Sequence, residues 1–208
     1  MFITFEGIDG SGKSTQVRLL AEEFKRMGRD VVITREPGGT CISEIIRGIL
    51  LDRENVEMTK ETELLLYAAS RAQHMGEVIL PALKGGKMVI CERFVDSTLA
   101  YQGYGCGIDL DLIETVNHIA TNGLKPELTI LLDVEVEDGL KRVAAMHGND
   151  RVDRIESRDK EFYNRVRDGY LTIASREPGR VKVIDSSERP PDILQGKILE
   201  VIKEKIEL

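Results

Sequence analysis

The sequence predicts an α/β fold: a mostly parallel five-stranded sheet with helices on both faces. Two observations carry that expectation. Five short apolar runs, at 2–5, 31–34, 88–91, 129–132 and 181–184, alternate with segments of helical periodicity. The first run leads directly into Gly7-Ile8-Asp9-Gly10-Ser11-Gly12-Lys13-Ser14, which matches the phosphate-loop pattern G-x-x-x-x-G-K-[ST] at every position.

Phe2-Ile3-Thr4-Phe5 is apolar, β-branched and aromatic, as a strand buried on both faces requires. Behind the loop, Val17, Leu20, Ala21 and Phe24 recur at helical spacing within 15–27. Strand, glycine turn and helix together aim backbone N–H groups and a helix N-terminus at one anion. Gly7, Gly10 and Gly12 let the main chain close on phosphate oxygens, and Ile8, Asp9, Ser11 and Thr15 complete the loop. Lys13 supplies a mobile charge for the β- and γ-phosphates, and the Ser14 hydroxyl suits Mg²⁺. An incidental glycine turn followed by Lys-Ser is the bland alternative, and the flanking strand and helix argue against it.

Further helices are expected at 42–50, where Ile42, Ile45, Ile46 and Ile49 form a stripe, and at 61–83, 110–120, 137–146, 160–175 and 192–206. The last carries Leu194, Ile198, Val201 and Ile202, a core stripe and nothing more. In such a sheet ligands gather beyond the carboxyl ends of the strands. There the chain places Arg35-Glu36-Pro37-Gly38-Gly39-Thr40 after the second run and Glu92-Arg93-Phe94-Val95-Asp96-Ser97 after the third.

The chain has 208 residues, enough for one domain with a sizeable core. Lys and Arg number 29 against 36 Asp and Glu, a net charge of −7. That balance opposes a non-specific nucleic-acid binder, so an anionic ligand must be met by a local cluster of cations. No basic leader precedes the first strand and no apolar run of 18 residues occurs. A cytoplasmic protein without a signal peptide or membrane span is therefore expected. Cys41, Cys91 and Cys106 lack metal-ligand spacing and fit a reducing compartment. His74, His118 and His147 have no nucleophile or ligand partner in register.

Phe5 through Thr15, Thr34-Arg35-Glu36-Pro37-Gly38-Gly39-Thr40, Tyr67-Ala68-Ala69-Ser70-Arg71, Arg93, Asp96-Ser97-Thr98-Leu99-Ala100-Tyr101-Gln102-Gly103 and Asp153-Arg154-Ile155-Glu156 resemble, in order and spacing, the thymidylate kinases. The resemblance spans roughly residues 1–190. It implies a three-layer fold like that of the P-loop nucleoside monophosphate kinases and transfer of the γ-phosphoryl of ATP to dTMP, with Mg²⁺. By the same resemblance Arg93 clamps the acceptor phosphate, Arg35 is a second phosphate contact, and Asp9 and Glu36 belong to the acceptor site. Tyr67 stacks on thymine, Arg71 reaches its O4, Ser97 and Gln102 meet the base edge, and Tyr101 lies under the sugar. Glu92 stands where the family usually has Asp; it could orient a Mg²⁺-bound water. For Tyr67 a plain core position is the competing reading.

The segment 145–158 is polar, carries Gly148-Asn149 and three arginines, and reads as a lid. The phosphate loop holds no arginine between Gly7 and Gly12. The missing charge is therefore expected from the lid, as in the bacterial-type subgroup, with Arg151 first and Arg154 second. A homodimer is also implied by the resemblance; Leu64, Leu65, Met75 and Ile79 are candidate contacts, with core burial as the alternative. The competing functions are another P-loop nucleoside monophosphate or deoxynucleoside kinase and, from a different class, a guanine-nucleotide switch. The switch would need an Asn-Lys-x-Asp reader, and no such tetrapeptide occurs.

Overall fold

The computed structural model describes residues 1–147, 153–187 and 190–205. Strands β1 (Phe2–Glu6), β2 (Val31–Arg35), β3 (Met88–Glu92), β4 (Leu128–Asp133) and β5 (Val181–Asp185) form one sheet in the order β2-β3-β1-β4-β5. All four pairings are parallel. Each strand runs one residue beyond its apolar run at the carboxyl end. In every case that residue is charged: Glu6, Arg35, Glu92, Asp133 and Asp185. Ladder pairing outlasts the apolar pattern because the backbone still needs its hydrogen bonds where the side chains turn toward the ligand edge.

β1 is central, and every one of its residues is buried. From its end the chain crosses toward β2 on one side, while from β3 it crosses toward β4 on the other. The carboxyl ends of β1 and β3 therefore flank the point where strand order reverses, the place a doubly wound sheet opens a crevice.

α1 (Lys13–Arg26) and α9 (Pro191–Lys205) cover one face. There Val17, Leu20 and Phe24 pack with Ile198, Ile202 and the inward residues of β1, β3 and β4. The other face is covered by α8 (Lys160–Arg176) and by residues 95–105, joining Tyr101, Phe162, Tyr163, Val166 and Tyr170 to Leu131. α2 (Cys41–Leu51) begins where Thr40 accepts from the Ser43 N–H at 3.1 Å. α6 (Leu110–Thr121) and α7 (Val136–His147) also fall where the periodicity places them.

Two elements differ from expectation. The helix expected at 61–83 is α3 (Lys60–His74), a wide π-helical turn (Met75–Ile79) and α4 (Leu80–Lys84). The wide turn lies just ahead of Pro81, which has no N–H to donate and whose ring would crowd the carbonyl four residues back. Leu64, Met75 and Ile79 are buried in the core, so of the four apolar residues considered for a dimer contact only Leu65 is exposed. The second difference is a helical stretch that periodicity does not announce: α5 (Val95–Thr98), which continues as a π-helical segment (Leu99–Gly105). Its glycines disguise it and also permit it. A Cβ on Gly103 would lie 2.5 Å from Leu110, and one on Gly105 2.6 Å from Phe162.

Candidate active site

At the end of β1 the chain turns through Gly7, Gly10 and Gly12 at φ 135°, 77° and 95°, torsions that exclude most side chains. Gly12 caps α1 in the left-handed conformation. The Lys13 ammonium folds back over the loop and donates to the carbonyls of Gly7 (3.0 Å) and Ile8 (2.8 Å). Burial, aided by the nearby Arg93 charge, holds its pKa down to about 8. A cavity lined by Asp9, Gly12, Lys13, Ser14, Thr15 and Glu92 opens over this loop. Its outer wall is Arg142, which donates to Gly10 O at 3.2 Å and to the carbonyls of Ser186 and Ser187.

β3 ends at Glu92, and the next residue, Arg93, sits at φ 66°, a left-handed torsion uncommon for a side chain of this size. That bend turns the guanidinium into the crevice. Arg93 donates to Asp9 Oδ1 at 2.5 Å, to Gly7 O at 3.1 Å and to Tyr101 Oη at 3.3 Å, and it lies 5.0 Å over the Tyr101 ring. Asp9 Oδ2 accepts from Tyr101 (3.2 Å) and, at the limit of reach, from Tyr163 (3.5 Å). Burial pushes the Asp9 carboxyl up, but Arg93, Lys13 and the Tyr101 hydroxyl outweigh it and hold the pKa below the usual value.

A second cavity begins on the far side of Asp9 and Arg93. Tyr67, Arg71, Ser97, Thr98, Tyr101 and Gln102 line it, with Glu36 and Pro37 at the β2 end. Tyr67 is half-buried at this wall, with its hydroxyl pKa pushed up by burial and by Glu63. Arg71 is 1 % exposed. It donates to Glu36 (2.7 Å), Thr98 (2.9 Å), Asn117 (2.7 Å) and the Phe94 carbonyl (3.0 Å). These bonds take four of its five N–H groups and leave one for whatever enters the cavity. Glu36 is itself held by His74, whose other ring nitrogen meets Thr34 at 2.6 Å.

The expected residues do not all converge. Lys13, Asp9, Arg93, Tyr67, Arg71, Glu36, Ser97, Tyr101 and Gln102 meet along the two cavities. Arg35 does not line either. Its guanidinium is half-exposed and takes Glu44 with both oxygens at 3.0 Å, and the arginine that lines the second cavity beside Arg71 and Arg93 is Arg47. Arg154 is buried away from the phosphate loop. It donates to Glu63 at 2.7 Å and to the Leu50 carbonyl at 2.8 Å, and its amide donates to Leu51 O. Glu63 also accepts from Gln102 at 2.8 Å. Arg151 and the middle of the 145–158 segment lie outside the described residues.

Sequence reasoning passes over Glu6, Arg47, Thr98, Asn117, Arg142, Tyr163 and Tyr170, all of which touch the site or its supports. Glu6 and Thr98 stand inside the matching motifs without an assigned role, and the two tyrosines, seven apart on α8, share a face.

Among the described residues no group of three or more His, Cys, Asp or Glu could hold a metal. Mg²⁺ with a nucleotide needs less: it takes one or two protein oxygens, phosphates and waters. The exposed Ser14 hydroxyl and Glu92 open onto the same cavity and meet that requirement.

The chain matches the family model described as Thymidylate kinase over residues 5–198. It is 50 % identical over 206 residues to the thymidylate kinase of Pelotomaculum thermopropionicum, covering 99 % of this chain and 94 % of that one. It is 53 % identical over 188 residues to that of Geotalea daltonii, covering 88 % of each. The crystal structure of thymidylate kinase from Ehrlichia chaffeensis superposes with a TM-score of 0.79 at 40 % identity, covering 98 % of both chains.

Arg154 and Glu63 form a buried pair, so truncating the arginine leaves the buried carboxylate with only the Gln102 amide at 2.8 Å and the more exposed Arg158 at 3.4 Å. Arg154→Ala is expected to lower stability by about 3 kcal/mol and the melting temperature by roughly 6–12 °C, measured by thermal denaturation. An unchanged melting temperature would show that the pair does not anchor this segment.

Proposed function

The chain belongs to the thymidylate kinase family, and on that premise we propose that it transfers the γ-phosphoryl group of ATP to dTMP, giving dTDP and ADP. The observation that carries this reading is the position of Asp9 and Arg93. Asp9 lines both cavities, and the Arg93 guanidinium bonded to it reaches the cavity lined by Tyr67 and Arg71 on one side and the phosphate-loop backbone on the other. A donor and an acceptor bound in the two cavities would meet there.

The difficulty of the reaction is electrostatic. Two unit charges 4 Å apart repel by about 4 kcal/mol at an effective dielectric near 20, and each phosphate carries more than one. Catalysis is mainly positioning and neutralisation, because the transition state is loose. Lys13 meets the β- and γ-phosphates and regains its full charge against them. Arg93 takes the acceptor phosphate in its planar fork, exchanging part of its bond to Asp9 for phosphate oxygens. Ser14 and Glu92 would hold Mg²⁺ bound with ATP, and it would neutralise further phosphate charge. The flat guanidinium of Arg142 faces the donor side and offers a surface for the donor base.

In the acceptor cavity Tyr67 stacks on thymine, and the one N–H that Arg71 has left points recognition at a base acceptor beside Thr98 and Gln102. Tyr101 supports the sugar, where its bulk excludes a 2′-hydroxyl. A thymine methyl alone is worth about 1–3 kcal/mol, so dUMP is a weaker acceptor rather than a rejected one. The lid at 145–158 supplies the charge that the loop lacks, with Arg151 as the catalytic arginine. Arg154 serves as its buried anchor.

A homodimer would use the exposed faces of α2, α3 and α6, which pack side by side. Ile42, Ile45 and Ile49 on α2, Leu65 on α3, and Leu112 and Ile119 on α6 are all at least 44 % exposed and offer apolar side chains to a second copy. No helix among the described residues is long and apolar enough to cross a membrane, and none of the three cysteines is paired. Both facts fit the cytoplasm.

A coupled assay of ADP release over a panel of nucleoside monophosphates is expected to show dTMP as the preferred acceptor, with dUMP slower. Preference for a purine monophosphate would refute the reading. In the same assay Arg151→Ala should lower kcat by about 1,000-fold or more, on the order of an arginine's contribution to phosphoryl transfer, with KM for dTMP little changed; full activity removes its role. Sedimentation at micromolar concentration should show twice the chain mass, and a monomer would dismiss the dimer face.

A further inference from the structure

Glu6 is a fully buried carboxylate that the mechanism above does not use. It ends β1, one residue before the phosphate loop, and a carboxylate placed there is costly unless every lone pair is occupied. Oε1 accepts from the Phe94 N–H at 2.7 Å, and Oε2 from the Ser97 hydroxyl at 2.5 Å and the Tyr170 hydroxyl at 3.0 Å. The two hydroxyls are 2.7 Å from each other. Both also accept from the same Arg93 nitrogen, at 3.2 Å for Ser97 and 3.3 Å for Tyr170.

We propose that Glu6, acting with Tyr170 and Ser97, is the positioning residue that orients Arg93 for the acceptor phosphate. The proposal rests on the reading of Arg93 as the phosphate clamp. An ionised carboxylate only accepts. Both hydroxyl hydrogens are therefore drawn toward Glu6, directly or through one another, and both oxygens keep lone pairs for Arg93. A neutral group in place of the carboxylate reverses this polarity: it donates to a hydroxyl and turns a hydroxyl hydrogen against the guanidinium. Glu6 acts on the backbone as well. The Phe94 amide that it holds follows directly on the left-handed turn at Arg93, φ 66°, and pins it.

The same geometry gives a pH dependence. Burial raises the Glu6 carboxyl to about 7, with Asp96 of α5 adding to it; the Ser97 bond, the Arg93 charge and the Phe94 amide oppose. The other groups facing it are the Tyr170 hydroxyl on α8, the Lys13 ammonium on α1 and the buried Cys91 thiol on β3. Because the pKa is raised, the ionised and orienting form is present above about pH 7 and is lost as the pH falls through it.

The test is steady-state kinetics from pH 5.5 to 9 on Glu6→Gln and Tyr170→Phe, with melting curves as a folding check. In the wild type kcat/KM for dTMP should fall with two ionisations, that of Glu6 near 7 and the second one of the acceptor phosphate, about 6. Glu6→Gln should raise KM for dTMP about 10-fold at pH 8, the scale of one charge-assisted hydrogen bond. It should also lose the upper ionisation, keep the lower one, and leave KM for ATP unchanged. Tyr170→Phe, which preserves the packing of the ring, should raise KM for dTMP several-fold and keep both ionisations. A merely structural Glu6 would lower the melting temperature with KM and the pH profile unmoved, and that result overturns the proposal. If Glu6→Gln fails to fold, an unchanged KM in Tyr170→Phe overturns it equally. Arg93→Ala separates the two levels. If it leaves KM for dTMP unchanged, the clamp reading fails; if it raises KM while Glu6→Gln and Tyr170→Phe do not, only the positioning role fails.

Discussion

The contact between Arg93 and Asp9 is the constraint on which the rest of the site depends. It joins the end of β3 to the phosphate loop after β1, two strands that are neighbours in the sheet and 84 residues apart in the chain. Making it requires the backbone to adopt a left-handed torsion at an arginine, which costs on the order of 1 kcal/mol or more. The surroundings over-determine that torsion: the Arg93 amide donates to Phe5 O and the next amide to Glu6. The strain is placed where one guanidinium can serve both halves of a crevice.

The same economy of charge recurs through the interior. Glu36 holds Arg71, Glu63 holds Arg154 and Asp96 holds Arg180, each pair at 2.7 Å and each carboxylate nearly inaccessible to solvent. Buried ion pairs contribute little net stability, since desolvation offsets attraction. What they supply here is orientation. With four N–H groups bonded, Arg71 has one position and one free donor. A chain with net charge −7 can therefore bind two anions, because its few inward cations are fixed and its excess carboxylates lie elsewhere or are paired.

Much of this is legible in the sequence, for identifiable reasons. The strands and the phosphate loop are local features; a run such as 31–34 or a glycine pattern such as Gly7–Gly12 announces itself within a few residues. Arg93 and Tyr101 stand in short motifs whose resemblance to the thymidylate kinases implies an acceptor side. Partnership is what sequence does not disclose. Arg71 finds Glu36, Thr98 and Asn117 at separations of 35, 27 and 46 residues, and nothing local to Arg71 distinguishes that buried network from a surface ion pair. Arg35 and Arg154 show the converse. Both have the right residue type in a matching motif, yet Glu44 holds one outside the cavity and Glu63 draws the other into the core. The helix over 95–105 escapes notice because the glycines that let Leu110 and Phe162 approach it also erase its periodicity.

The central claim is that Arg93 is oriented for a phosphate rather than for the nucleoside. Calorimetric titration of dTMP and of thymidine into the wild type and Arg93→Ala tests it directly. The account predicts that the variant loses about 100-fold in affinity for dTMP, the scale of truncating one partner of a buried charge pair, and retains its affinity for thymidine. Equal losses for both ligands, or no loss for dTMP, would contradict it.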